Sequence, residues 1–244
     1  MRWKLMATCV LFVASQTASA QEEVRAILEK AIKAHGAEKT AKIKAATTKN
    51  KGTLEILGGL SFTQEITMLV PNQFKETMHL DIMGKQVTVV TVFNGTKGWV
   101  KANGETKELD GKILEELKEA GHLMSVMRLL LLRDKSVELS LLGEDKVNGK
   151  PALGIKVKSK GHRDCDLFFD KATGLVAKVS RRAVDPASDQ EFTEERIITE
   201  YQDIEGNKVA KKILVNRDGK KFAEVEVLEV KYPQTIDENE FAKP

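Results

Sequence analysis

Hydrophobic and polar residues alternate along the chain between residues 52 and 100, and turn-forming pairs interrupt the alternation at short, regular intervals. These pairs are Gly58-Gly59, Pro71-Asn72, Gly84-Lys85 and Asn94-Gly95. Successive side chains of a strand point to opposite faces, so alternation gives a sheet one apolar face and one polar face. The stretch therefore predicts an antiparallel β-meander rather than a series of βαβ units.

A second alternating region occupies the C-terminal part of the chain. The strands predicted in the two regions are Thr53–Leu57, Phe62–Val70, Phe74–Ile82, Val87–Phe93, Trp99-Val100, Val137–Leu141, Leu153–Val157, Arg163–Phe169, Leu175–Val179, Glu191–Tyr201, Val209–Val215 and Phe222–Val230. Together they amount to about eleven or twelve strands.

Two helices are predicted from apolar residues at helical spacing. The first is Gln21–His35, with a weaker helical turn after it over Ala37–Ala45. The second is Gly111–Leu132, which lies between the two strand regions. We expect Gly121-His122 to break or kink this second helix, because glycine in a helix interior costs about 1 kcal/mol.

Two helices are too few to cover both faces of so many strands. The predicted fold class is therefore mainly β with helices (α+β), in a single domain over residues 21–244. We expect a curved antiparallel half-barrel of about eleven strands, with an N-terminal helix and a mid-chain helical lid over the apolar face.

Residues 1–20 have the pattern of an export signal. Arg2 and Lys4 precede the apolar stretch Leu5–Ala14, and small residues follow up to Ala20. The apolar stretch is too short to span a bilayer, and cleavage near Ala20 is expected to release a periplasmic or secreted protein. Cys165 is then the only cysteine left, which excludes an internal disulfide.

The charge balance excludes one class of partner. Loss of Arg2 and Lys4 leaves 37 of the 39 basic residues, against 36 acidic residues. A nucleic-acid-binding protein needs a strongly basic face, so no nucleic acid is expected as a partner. We expect the protein to be a monomer.

One stretch has residue types suited to a metal site. On a strand, His162, Asp164 and Asp166 share one face, where they could hold a metal ion together. The alternative is a polar outer face whose intervening apolar residues lie in the core. We favour the alternative because no established metal-binding spacing is present. His79 and Asp81 form a similar, weaker pair. The chain also lacks a nucleophile elbow and a phosphate-binding loop, so we predict no enzyme activity, no cofactor and no metal.

Methionines are concentrated in the first meander and in the predicted lid. Methionine is flexible and polarisable, and it is common both in cores and on adaptable apolar binding surfaces. If the sheet and the lid enclose a ligand cavity, the predicted lining is Phe62, Ile66, Met68, Phe74, Met78, Leu80, Met124 and Met127.

Gln64 and Glu76 interrupt the apolar faces of their strands. They are either polar anchors for a lipid head group or the sites of bulges that turn the side chain outward, and we favour bulges. Trp99, directly after a turn, is expected to be buried.

Three phrases of the sequence resemble the LolA-like superfamily of periplasmic lipoprotein and lipid carriers. Phe93–Trp99 resembles its "dG..lW" turn, Phe169–Leu175 its "fD..tGl" hairpin, and Ile236-Asp237 followed by Phe241 its C-terminal ending. The order of helix, meander, lid and second meander is also similar. The chain resembles the uncharacterised secreted bacterial members more than the lipoprotein carrier itself, whose aromatic-rich cavity is not matched by an aromatic content of 5%.

The resemblance implies a half-barrel fold and a non-catalytic carrier or binding protein for a lipid, an acyl chain or a lipoprotein. A lipoprotein or a membrane-associated protein is the implied partner. Two alternatives remain open: a sensor or interaction module whose interior is filled by its own side chains, and a metal-dependent hydrolase that uses His162, Asp164 and Asp166.

Overall fold

The computed structural model describes residues 7–56, 58–185 and 188–244; the predicted export signal lies partly outside them, and Leu57, Pro186 and Ala187 do too. The described strands form one antiparallel sheet of thirteen strands. They are β1 (Ala45–Leu54), β2 (Leu60–Leu69), β3 (Gln73–Ile82), β4 (Lys85–Phe93), β5 (Gly98–Ala102), β6 (Glu105–Leu109), β7 (Val137–Val147), β8 (Lys150–Ser159), β9 (Cys165–Asp170), β10 (Val176–Val184), β11 (Glu191–Ile204), β12 (Asn207–Arg217) and β13 (Lys220–Lys231).

The sheet consists of two meanders joined by the pairing of β1 with β13. Its strand order is β6-β5-β4-β3-β2-β1-β13-β12-β11-β10-β9-β8-β7. The two edge strands, β6 and β7, are therefore consecutive in the sequence. The segment between them crosses from one edge of the sheet to the other, and it contains the mid-chain helix.

The described helices are α1 (Ala7–His35), α2 (Ala37–Thr40) and α3 (Gly111–Val126). Short 3₁₀ helices follow at Leu130–Arg133 and Glu238–Phe241. No helix in the part of the chain that the structure describes is long and apolar enough to cross a membrane. The fold class is confirmed: an open, curved antiparallel sheet carries an N-terminal helix and a mid-chain helix.

The main hydrophobic core lies between α1 and the second meander. The apolar side of α1 is buried as predicted; its members are Val24, Ile27, Leu28, Ala31 and Ile32. They pack with the C-terminal part of α3 and with alternate residues of β8, β9 and β10, among them Ile155, Leu167 and Val179. Gly36, with φ +68°, ends α1 in the left-handed conformation that glycine adopts without strain.

A smaller cluster covers the opposite face of the first meander. Trp99 is buried there, as predicted, beside Val92 and the C-terminal Phe241. An ion pair between Lys75 Nζ and Glu240 Oε1, 3.0 Å long, helps to hold the C-terminal segment on this face.

The predicted strand count was low because the sequence pattern did not reveal β6. Its residues, Glu105–Leu109, are mostly polar and exposed, as is common for an edge strand that protects a sheet from further pairing. The first strand also begins earlier than predicted, at Ala45, because its polar N-terminal half shows little alternation.

The predicted break at Gly121-His122 is wrong, since α3 continues through both residues to Val126. Gly121 instead allows a close approach: a Cβ atom there would lie 3.0 Å from the carbonyl oxygen of Asn72. The predicted end at Leu132 is also wrong, because Leu129, with φ +65°, separates α3 from a 3₁₀ helix.

Candidate ligand-binding cavity

A cavity of about 340 Å³ lies between the C-terminal part of α3 and the middle of the sheet. The helix and the residues that follow it contribute Leu123, Met124, Met127 and Leu129. The sheet contributes apolar side chains that include Ala46, Met68, Ile198, Ile213 and Val230. Its size falls within the range of small-molecule pockets, and its lining is predominantly apolar, as in such pockets.

The end of α1 closes one side of the cavity. His35 Nδ1 lies 2.8 Å from the carbonyl oxygen of Ala31, and its ring packs edge-on against Tyr201. The hydroxyl of Tyr201 donates a 2.7 Å hydrogen bond to the carbonyl oxygen of Val176. Burial lowers the pKa of His35, which favours a neutral imidazole at this wall.

The eight residues predicted to line a cavity divide into two groups. Met68, Met124 and Met127 border the cavity. Phe62, Ile66, Phe74, Met78 and Leu80 lie along the same alternating faces of β2 and β3 but do not border it. Phe74 is buried against Phe93, with ring centroids 5.8 Å apart, and Phe62 fills the space left by Gly52.

A row of polar side chains crosses the first meander beyond the cavity. Asn50 Nδ2 donates to Gln64 Oε1 at 2.9 Å, and Gln64 Nε2 donates to Glu76 Oε1. The predicted bulges at Gln64 and Glu76 are wrong, because β2 and β3 pair without interruption from Phe62 to Leu69. Hydrogen bonds along the row, rather than bulges, accommodate these polar groups on the inner face.

Glu76, at the end of this row, is a partly buried residue whose carboxyl group points inward. Burial raises its pKa, although the hydrogen bond from Gln64 and the nearby charge of Arg196 act in the opposite direction. Arg196, which borders the cavity, comes from β11 on the other meander. The curvature of the sheet therefore brings side chains distant in sequence to one interior.

Two arginines share a buried carboxylate in this interior. Arg196 Nε donates to Glu194 Oε1 at 3.0 Å, and Arg181 Nε donates to the same oxygen at 3.2 Å. Burial opposes ionisation of Glu194, but the charges and hydrogen bonds of the two arginines outweigh it and lower the pKa.

A second polar cluster fastens α3 to the second meander. Glu119 accepts a 3.0 Å hydrogen bond from the backbone N–H of Arg163, and its other oxygen lies 3.2 Å from His162 Nδ1. The His162 ring stacks on His122 at a centroid distance of 3.7 Å. Burial, followed by the nearby His162, lowers the pKa of His122 to about 4. Glu116, one turn earlier, accepts a hydrogen bond from Arg163.

The residues of the alternative metal site have separate partners. His162 faces Glu119, Asp164 lies 3.8 Å from Lys158, and Asp166 forms a 3.0 Å ion pair with Lys156. Within residues 7–56, 58–185 and 188–244, no three His, Cys, Asp or Glu side chains are placed to hold a metal ion. The intervening residues Cys165, Leu167 and Phe169 are buried, as the polar-outer-face reading predicts.

Two other candidate groups are also accounted for. Burial raises the pKa of Cys165 to about 12, which keeps the thiol protonated at neutral pH. His79 Nδ1 lies 2.9 Å from the hydroxyl of Thr88. The hollow beside His79 and Asp81 is larger, about 740 Å³, but most of the residues that line it have polar or charged side chains, such as Lys51, Thr63 and Glu226.

Comparisons of the sequence find no match, either to a family model or to a curated protein. Comparison of the structure finds a LolA superfamily protein from Nitrosomonas europaea, with a TM-score of 0.60 and 10% identity over 90% of this chain and 97% of that one. The chain has a LolA-like fold.

Two further structures agree with this assignment. A putative outer membrane lipoprotein-sorting protein domain from Vibrio parahaemolyticus has a TM-score of 0.56 and 12% identity, over 88% of this chain and 96% of that one. A DUF1329 family protein from Desulfovibrio piger has a TM-score of 0.55 and 14% identity, over 89% and 96%. The sequence resemblance to LolA-like proteins is thus confirmed at the level of the fold.

The predicted lining omitted the residues that the second meander contributes to the cavity, and it also omitted Arg128, which follows α3. Arg196, Tyr201 and Arg128 were not among the predicted lining residues, although all three border the cavity. One signal was present: Arg196 and the buried Ile198 are two residues apart, so they lie on the same face of β11.

Proposed function

We propose that the protein is an exported, non-catalytic carrier or binding protein for a hydrophobic ligand, such as a lipid, an acyl chain or a lipoprotein. The observation that carries this proposal is the apolar cavity between α3 and the sheet, bordered by Met68, Met124 and Met127. Export rests on the signal-like residues 1–20. A lipoprotein or a membrane-associated protein is the proposed partner, which fits the similarity of the fold to the lipoprotein-sorting protein domain from Vibrio parahaemolyticus.

The physical basis of binding is the removal of apolar ligand surface from water, worth about 25 cal/mol per Å². Flexible methionines adapt to chains of different shape without a fixed geometry. No bond needs to be made or broken, because a carrier works by the difference in solvation between water and its cavity.

The proposal is tested by filling the cavity from α3. We expect Met124→Trp and Met127→Trp to weaken the binding of a fluorescent fatty acid by about tenfold or more, because the larger side chain occupies the ligand space. The melting temperature should stay the same or rise. Binding is followed by the probe fluorescence and stability by thermal unfolding.

Met83→Trp is the matched control, since Met83 is 95% exposed at the turn between β3 and β4. It should change neither quantity. If the parent protein binds no apolar probe and both α3 variants melt at lower temperature, the interior is a solid core. Over-packing a core costs about 1–3 kcal/mol. That result would reject the carrier and favour the interaction module.

A further inference from the structure

The charged side chains around the cavity are all of one sign. Those that border it are Lys44, Arg128, Arg196 and Lys208, and no aspartate or glutamate of the described residues does so. The whole chain is nearly balanced, with 39 basic and 36 acidic residues. A purely apolar ligand gives no reason for a cationic border, whereas an anionic group on the ligand does.

Arg196 is the cation best placed to receive such a group. Its one hydrogen bond with the described residues goes through Nε to Glu194, so neither terminal amino group has a partner there. The side chain is 41% exposed and borders the cavity. A guanidinium group has five N–H donors, and two parallel bonds from it match the oxygens of a carboxylate or a phosphate.

The other three cations are placed differently. Lys208 Nζ is paired with Asp203 at 3.2 Å. Arg128 donates a 2.7 Å hydrogen bond to the carbonyl oxygen of Ile43. Lys44 is exposed directly before β1. They contribute to the positive potential at the border, whereas Arg196 has donors available beside the buried Ile198.

The carboxyl group of Glu76 also bears on the charge of Arg196. Because burial raises the pKa of Glu76, this carboxyl group opposes the arginine charge less than an exposed glutamate would. Glu194 is already shared with Arg181. Part of the positive charge of Arg196 therefore stays available to a ligand.

We propose that the ligand is a single-chain amphiphile with an anionic head group, a carboxylate or a phosphate, and that Arg196 binds this head while the chain lies under α3. This inference rests on the proposed function. The cavity volume of about 340 Å³ is near the lower limit for small-molecule pockets, which favours one acyl chain over several.

The test compares ligands that share one chain and differ in the head. Palmitate, lysophosphatidate with a palmitoyl chain, hexadecanol and hexadecylamine are titrated into the wild-type protein at concentrations below those at which each aggregates in water. We expect one or both anions to bind at least about tenfold more tightly than the alcohol, and the amine to bind more weakly than the alcohol. Tighter binding of palmitate would indicate a free fatty acid as the ligand, whereas tighter binding of lysophosphatidate would indicate a phosphate-bearing lipid head group.

Arg196→Met should remove the preference for the anions over hexadecanol, while Arg196→Lys should restore part of it. The matched control is Arg182→Met, because Arg182 is 54% exposed and pairs with Glu191 away from the cavity. It should keep the full preference. If Arg196→Met does not fold, the wild-type series and Arg196→Lys still decide the question.

The outcomes separate this inference from the proposed function. If neither the anions nor the alcohol binds, the proposed function fails and the inference fails with it. If the alcohol binds as tightly as the anions, or if Arg196→Met keeps the preference, the inference is overturned while a carrier of neutral chains remains. Preferential binding of hexadecylamine overturns it as well.

Discussion

Glu76 illustrates how a single residue departs from its sequence pattern. It occupies an apolar position of β3, where an ionised carboxylate is costly to bury, and a bulge would have turned it outward. The strand keeps its register, and Gln64 donates a hydrogen bond to the carboxyl group instead. The alternation along β3 places Glu76 on the inner face of the sheet, whereas the groups that interact with its carboxyl group, Gln64 and Arg196, lie on β2 and β11.

Glu76→Gln should raise the free energy of unfolding at neutral pH. A carboxyl group whose pKa is raised by folding stabilises the protein below its unfolded pKa, and that contribution is lost as the pH rises through the folded value. Glutamine has no charge to bury, and its amide oxygen still accepts a hydrogen bond from Gln64. The gain should therefore disappear below the ordinary carboxyl pKa of 4.5.

The measurement is urea unfolding of both proteins across this pH range. Glu65→Gln is the control, because Glu65 precedes Ile66 on β2 and its side chain is 51% exposed. It should show a much smaller pH dependence. A loss of stability at neutral pH in Glu76→Gln would mean that the ionised carboxylate is needed in the interior.

At the scale of elements, α3 is held by contacts to both meanders. Gly121 packs on Asn72, and Ser125 donates a hydrogen bond to the carbonyl oxygen of Pro71, both at the β2–β3 turn. Glu119 is bound to the segment before β9 on the other side. Helix propensity alone predicted an interruption at Gly121, but tertiary packing uses the glycine for close contact.

Gly121→Ala should lower the free energy of unfolding by about 1–3 kcal/mol, because the new methyl group meets a backbone oxygen that the turn holds in place. In an exposed helix the same change would stabilise by about 1 kcal/mol. The two expectations differ in sign, and denaturant unfolding distinguishes them.

The control for this substitution is Lys112→Ala on the same helix. Lys112 is 60% exposed and pairs only at the surface with Asp189, so a change within about 0.5 kcal/mol is expected. A stabilised Gly121→Ala protein would show that α3 has room at this position.

At the scale of the whole molecule, one sheet carries two apolar clusters on opposite faces. The larger cluster packs under α1, and the smaller one surrounds Trp99 under the C-terminal segment. Pairing of β1 with β13 links the two meanders that bear them. Loss of either meander would leave a long unpaired edge, so we expect the clusters to unfold together.

Trp99 allows this to be measured. In a Trp3→Phe variant it is the only tryptophan, and its emission should be blue-shifted in the native protein because the side chain is buried. Denaturation should shift the emission to the red with the same midpoint as far-ultraviolet circular dichroism, which reports on the whole sheet. A native spectrum at the position of exposed tryptophan, or two separate midpoints, would contradict this description.

The sequence by itself determined the strands and helices that can be recognised from the spacing of apolar residues a few positions apart. Alternation and turn pairs predicted twelve of the thirteen strands, and helical spacing predicted the buried side of α1. The burial of Trp99 and of Cys165, Leu167 and Phe169 followed in the same way. These features depend on neighbours a few residues apart, and the physical reason is the fixed period of strand and helix.

Only the tertiary structure decided what surrounds the interior. Arg196, Met68 and Met124 line one cavity because the sheet curves and the α3 segment crosses between its edges. The periodicity of a single strand or helix does not predict that these residues come together. The edge strand β6 escaped prediction because exposure on both faces removes alternation. The hydrogen bond that keeps Glu76 inward likewise depends on the register between strands, which the sequence of a single strand does not specify.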